Sequence, residues 1–96
     1  MESNVTLFAI SHDYLATEII TVEKEKFITP RILKEFEFYF QNISFFVRIN
    51  RGVILNTKFI KSYSKDFPCM VEMETGFSFE ISRRKKSEVL GLLEVL

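Results

Sequence analysis

Two short stretches of the chain set basic groups among apolar residues: FVRINRGVILN at 46–56 and FEISRRKK at 79–86. The first offers Arg48, Asn50 and Arg51, and the second Ser82, Arg83, Arg84, Lys85 and Lys86. A guanidinium donates two parallel hydrogen bonds, a geometry that suits the O6 and N7 acceptors of guanine and is worth roughly 1–3 kcal/mol of discrimination. Ammonium, hydroxyl and amide groups suit phosphate oxygens, which fix register without carrying sequence information. The chemistry within reach of these residues is therefore recognition of anions and base edges.

Net charge is zero, with 13 Lys/Arg against 13 Asp/Glu, and such a balance alone argues against a polyanionic partner. The distribution argues the reverse. Residues 1–45 hold four basic against seven acidic side chains and residues 46–96 hold nine against six, so the two parts differ as −3 and +3. Asymmetry of this kind marks an anion-facing surface, and the plain alternative is an ordinary solvated face. Arg48 has its own plain alternative, an exposed ion pair with Glu72 or Glu80 on a neighbouring strand. Asn56 reads as a helix cap or turn former before it reads as a ligand.

Catalysis lacks material here. The chain has one histidine, His12, one cysteine, Cys69, and three glycines, with no HxxxH or CxxC pair, no glycine-rich phosphate loop and no G-x-S-x-G elbow. No cofactor or metal is expected, and the cysteine reads as a small hydrophobe near a loop. No run of eighteen apolar residues and no signal-peptide pattern occurs, so the expected setting is soluble and cytoplasmic.

The elements that must position the basic stretches follow from periodicity. In 96 residues there is room for one domain, and 47% apolar content with eleven phenylalanines supplies its core. Val5–Ile10 and Tyr14–Val22 read as strands joined by Ser-His-Asp, and Phe27-Ile28 as a brief third. Thr29-Pro30 predicts a helix start, and Ile32, Leu33, Phe36 and Phe40 carry an apolar stripe to residue 40, with Lys34, Glu35 and Glu37 pointing elsewhere. Residues 43–49 alternate, placing Ile43, Phe45, Val47 and Ile49 on one face and Arg48 on the other. Val53–Leu55 continues as strand into a capped turn at Asn56. Met70–Glu74 and Phe77–Ser82 form a hairpin about Thr75-Gly76. The last fourteen residues predict a helix with a stripe of Val89, Leu90, Leu93 and Leu96 and four cations at its N-terminal end. Cations there oppose the partial positive charge of the free amides, so an anionic partner is expected to compensate.

The two basic stretches, in this order and spacing, resemble the LytTR family of bacterial DNA-binding domains. Phe46, Arg48, Arg51 and Asn56 match its pattern F-x-R-x-H-R-S-x-x-V-N in register, and Ser82, Arg83 and Arg84 match the serine and basic residues that close its last strand. VTLFAISHDYL and ILKEF resemble its opening strands and helix, so the likeness covers essentially the whole chain. Asn50 stands where the family has histidine, Gly52 where it has serine, and the segment between Tyr14 and Leu33 is slightly longer. The resemblance implies a mainly β fold of small antiparallel sheets stacked in an elongated domain with one or two short helices. It implies sequence-specific binding of double-stranded DNA, with loops entering major grooves, on direct-repeat promoter sites and with a possible second protomer. Base contacts carry over to Arg51, to Arg84 and to His12 or Asp13, where imidazole can read a base edge and carboxylate can accept from cytosine N4. Arg48, Asn50, Lys58, Lys61, Ser82, Arg83, Lys85 and Lys86 are left for phosphates. Relatives carry an N-terminal receiver domain, which these residues do not include, so the chain is expected to be either an excised output domain or a free-standing regulator. The alternative is a β-rich interaction module whose basic edge meets an acidic protein. The DNA reading requires both cationic stretches to converge on one rim.

Overall fold

A computed structural model of the chain describes residues 6–13 and 15–94. The β-branched and aromatic runs form eight strands: β1 (Thr6–His12), β2 (Ala16–Thr21), β3 (Lys26–Thr29), β4 (Phe46–Asn50), β5 (Val53–Asn56), β6 (Ile60–Tyr63), β7 (Met70–Met73) and β8 (Ser78–Glu80). Among the described residues two helices, α1 (Leu33–Tyr39) and α2 (Arg83–Glu94), complete the set, with a 3₁₀ turn at Thr57–Phe59. All strand pairs are antiparallel, in a five-stranded sheet of order β3-β2-β1-β5-β4 and a three-stranded sheet β6-β7-β8. The mainly β architecture of stacked small sheets agrees with expectation, and the molecule measures 34 × 25 × 24 Å.

Alternation on β4 and β5 divides the core in two. Val47, Ile49, Val53 and Leu55 face the small sheet, where they meet Val71, Met73 and Ile81 and the α2 residues Val89 and Leu93. Ile54 points the other way and packs with Ala9, Ile19, Leu33 and Phe40 beneath α1, with Phe46 against them. β5 is therefore apolar on both faces because both are covered. Phe8 is buried and meets Phe77 and Phe79 edge-on at 4.9 and 4.7 Å, a burial worth about 1.5–3 kcal/mol. Phe40 stacks on Phe46 at 4.0 Å.

Several boundaries differ from the sequence reading, each for a local reason. Thr29 does not cap α1: it stays in the ladder opposite Thr17, whose hydroxyl donates to the Arg31 carbonyl at 2.6 Å and fixes the bend after Pro30. The helix starts only at Leu33, where the Glu35 carboxylate accepts from the Ile32 amide at 3.0 Å, the acidic half of a capping box. Ile32 is consequently exposed rather than part of the stripe. β1 runs on through Ser11 and His12, which had been expected to form a loop. The β7–β8 turn takes three residues, Glu74 to Gly76, closed by Met73 N–H to the Phe77 carbonyl (2.7 Å) with Gly76 at φ +97°, a conformation that favours glycine. Cys69 is buried and donates to the Ser64 carbonyl at 3.0 Å. Val5, Tyr14 and Leu96 lie outside the described residues.

Candidate nucleic-acid interface

Three connections meet at one end of the molecule. Arg51 and Gly52 form the turn between β4 and β5, since Asn50 already pairs with Val53. On one side of it, β1 lies beside β5 (Ile10 opposite Val53), and the Ser11 N–H donates to the Gly52 carbonyl at 2.9 Å, which brings His12 and Asp13 next to the turn. On the other side, the outer edge of β4 receives the junction between β8 and α2: Ser82 N–H donates to the Ile49 carbonyl at 3.0 Å, and Asn50 Nδ2 to the Glu80 carbonyl at 2.7 Å. The first four residues of α2 are the cations Arg83, Arg84, Lys85 and Lys86, with no acidic residue in that turn. The Ser82 hydroxyl accepts from the Lys85 amide at 3.3 Å, as an N-terminal cap does.

The convergence on which the sequence reading depends is therefore present. Arg51, Arg84, Asn50, Ser82, Lys85, Arg48 and Glu37 line one concavity of about 660 Å³. Asp13, Ser11, Gly52 and Arg51 line a second of about 340 Å³, so Arg51 stands between the two. Among the described residues the guanidiniums of Arg51 and Arg84 have no hydrogen bond or ion pair, and both side chains are exposed. Their donors are open to a ligand.

Arg48 is in a different state. Its Nη1 donates to Glu37 Oε1 at 3.0 Å, its Nη2 to the Arg51 carbonyl at 2.6 Å and its Nε to the Asn50 carbonyl at 3.3 Å, with only 21% of the side chain exposed. The ion pair is with Glu37 of α1, not with Glu72 or Glu80. Asn50 is likewise engaged at both ends, because its Oδ1 accepts from the Gly52 amide at 2.7 Å while its Nδ2 reaches Glu80. These two side chains build the turn that displays Arg51. Gly52 is not demanded by backbone geometry: a Cβ there would meet Asn50 Oδ1 at an ordinary 3.7 Å and φ is not positive.

The remaining candidates divide by place. His12 Nε2 lies 3.7 Å from Asp13 Oδ2, with the side chains 48% and 87% exposed. Asp13 has φ 53°, a left-handed conformation that aspartate tolerates better than most residues, so the turn itself explains its presence. Arg83 sits over the Phe67 ring at 5.2 Å, and Lys85 pairs with Glu88 at 3.8 Å. Lys58 is not brought to the rim: it follows β5 at the end opposite Arg51, with its ammonium 4.3 Å from the Phe45 ring centroid. Lys61 is exposed on β6. Asn56 is fully buried and acts as a cap, accepting from the Lys58 amide at 3.0 Å and donating to the Thr6 carbonyl at 2.9 Å.

Glu37, expected to point away from the apolar stripe of α1, instead reaches Arg48 on β4 and lines the concavity, and a signal for this existed. It falls four residues after Leu33 and three before Phe40, the two buried residues of the α1 face, so its spacing puts it over the sheet and not away from it. An acid on that face and a lone arginine on the facing side of β4 are complementary.

The family model for the LytTr DNA-binding domain matches residues 3–94. The chain belongs to the LytTR family. A solved structure, the LytTr DNA-binding domain assigned to a methyl-accepting/DNA response regulator from Bacillus cereus, superposes with a TM-score of 0.81 at 24% identity, covering 94% of this chain and 82% of that one. No curated protein sequence matches the chain. The LytTR domain is a DNA-binding fold of transcriptional regulators and not a catalytic one. No helix among the described residues is long and apolar enough to cross a membrane.

Proposed function

We propose that this LytTR domain binds double-stranded DNA sequence-specifically, reading bases with the Arg51 turn and the Arg84 end of α2. The observation that carries the reading is the pairing state of the arginines. Arg51 and Arg84 line one concavity with unengaged guanidiniums, whereas all three guanidinium nitrogens of Arg48 beside them donate within the chain. The loops enter major grooves, with His12 and Asp13 flanking Arg51 on one side and Arg84 on the other. Ser82, Arg83, Lys85 and Lys86 anchor phosphates, which also relieves the crowding of four cations at the α2 N-terminus. Lys58 and Lys61 stand outside this rim, and Arg48 and Asn50 serve it from within by shaping the turn. The setting is a cytoplasmic regulator acting at direct-repeat promoter sites, where a second protomer occupies the neighbouring repeat.

The test is a mobility shift of the wild type, Arg51→Ala and Arg84→Ala on two duplexes, one enriched by the wild type from a randomised library and one scrambled. Each variant is expected to lose about 1–3 kcal/mol on the enriched duplex and little on the scramble. Equal weakening on both would reassign the arginines to phosphate anchoring. Equal wild-type affinity for both, with little dependence on salt, would favour an acidic protein partner instead.

A further inference from the structure

We propose that Glu37 is a positioning residue for base reading, acting through Arg48 on the backbone that carries Arg51; the inference rests on the base-reading role of Arg51 proposed above. Glu37 lines the same concavity as Arg51 and Arg84. A carboxylate there repels phosphate, so the approach of DNA alone disfavours it. Its contact explains its place. The Arg48 guanidinium is a rigid plane, and the bond from Nη1 to Glu37 Oε1 (3.0 Å) sets the direction in which that plane faces. The two other donors then fall on the carbonyls of Asn50 (3.3 Å) and Arg51 (2.6 Å). Those carbonyls belong to the two peptide units on either side of the Arg51 Cα. Because each peptide is planar, holding both restricts φ and ψ of Arg51 and so aims its Cα–Cβ bond. The Arg51–Gly52 peptide is held a second time through its N–H, which donates to Asn50 Oδ1 (2.7 Å), and the Gly52 carbonyl accepts from Ser11 (2.9 Å), so what Arg48 adds, with Glu37 behind it, is one guanidinium plane spanning both peptides of Arg51.

The experiment compares wild type, Glu37→Gln, Arg51→Ala and the double variant, measured by fluorescence anisotropy on the enriched and scrambled duplexes. The amide keeps the size of the side chain and removes its charge. Glu37→Gln is expected to lower the enriched-to-scrambled affinity ratio roughly three- to tenfold, in the lower part of the range of coupling between contacting residues, while affinity for the scramble stays level or tightens. In the Arg51→Ala background the same change should leave the ratio alone. Equal tightening on both duplexes would reduce Glu37 to a source of repulsion. A lower melting temperature with an intact ratio would reduce it to a fold contact, and a ratio that falls equally in the Arg51→Ala background would remove Arg51 from the chain of action. Each of these overturns the proposal. Backbone ¹⁵N relaxation without DNA tests the clamp apart from base reading: Glu37→Gln should raise motion at the Arg51 and Gly52 amides, and unchanged order there refutes it even if the wild type discriminates well. A wild type that fails to discriminate, with the amides loosened as expected, would instead bring down the base-reading role.

Discussion

Asn50→Ala separates two roles for one side chain. As a phosphate ligand, Asn50 would be dispensable to the fold; as a brace, it ties the β4–β5 turn of the large sheet to β8 of the small one. The structure gives it two short internal bonds, Nδ2 to the Glu80 carbonyl and the Gly52 amide to Oδ1, both 2.7 Å. A neutral bond contributes about 0.5–1.5 kcal/mol net, so losing both should cost about 1–3 kcal/mol. For a domain of this size that lowers the melting temperature by roughly 5–20 °C. Asn50→Asp keeps the acceptor for Gly52 and loses the donor to Glu80, so its melt should fall between those of wild type and alanine. Asn50→His restores a ring N–H toward Glu80 and should recover part of the loss. The assay is thermal unfolding by circular dichroism, paired with anisotropy on enriched and scrambled duplexes. Because the brace also joins the turn to the strand leading into α2, the alanine variant should lose discrimination along with stability. An unchanged melt with equal weakening on every duplex would refute the brace and return Asn50 to the phosphate track.

The other predictions concern the extent of the rim and the buried cap. Lys86→Ala should weaken binding to all duplexes alike and reduce the slope of log K against log salt by about 1, whereas Lys58→Ala, at the far end of β5, should leave the slope unchanged; the salt titration that reverses this order would relocate the interface. Asn56→Ala removes a cap and a fully buried hydrogen bond and should cost about 2–4 kcal/mol in urea unfolding, and a loss under about 0.5 kcal/mol would contradict the buried-cap assignment.

The sequence carried the sheets well because the two patterns that matter are local. Alternation from Val47 to Ile49 and from Val71 to Met73 has a period of two and one buried face, so register follows from it directly. The basic rim was also legible, since the spacing of the two cationic stretches survives in the family pattern. What was hidden depends on tertiary partners. Thr29-Pro30 has the composition of a helix start, yet a strand partner, Thr17, holds Thr29 in the ladder. Arg48 and Asn50 have the composition of ligands, and only the fold reveals that Glu37, Gly52 and Glu80 have already taken their donors and acceptors. The distinction between a side chain that builds a reading loop and one that reads lies in hydrogen-bond partners, which residue type does not encode. Exposed Arg51 and committed Arg48 are three positions apart and chemically identical.

The central claim is that one end of this domain, formed by His12 and Asp13 at the end of β1, the Arg51 turn and the start of α2, is the face that meets DNA. A crystal structure of the chain with its enriched duplex tests it most directly. The account predicts the guanidiniums of Arg51 and Arg84 at about 3 Å from base-edge acceptors, phosphates along Ser82 to Lys86, and the Arg48–Glu37 pair intact behind them. A duplex lying instead against β3 and the outer face of α1, or both guanidiniums bound only to phosphates, would contradict it.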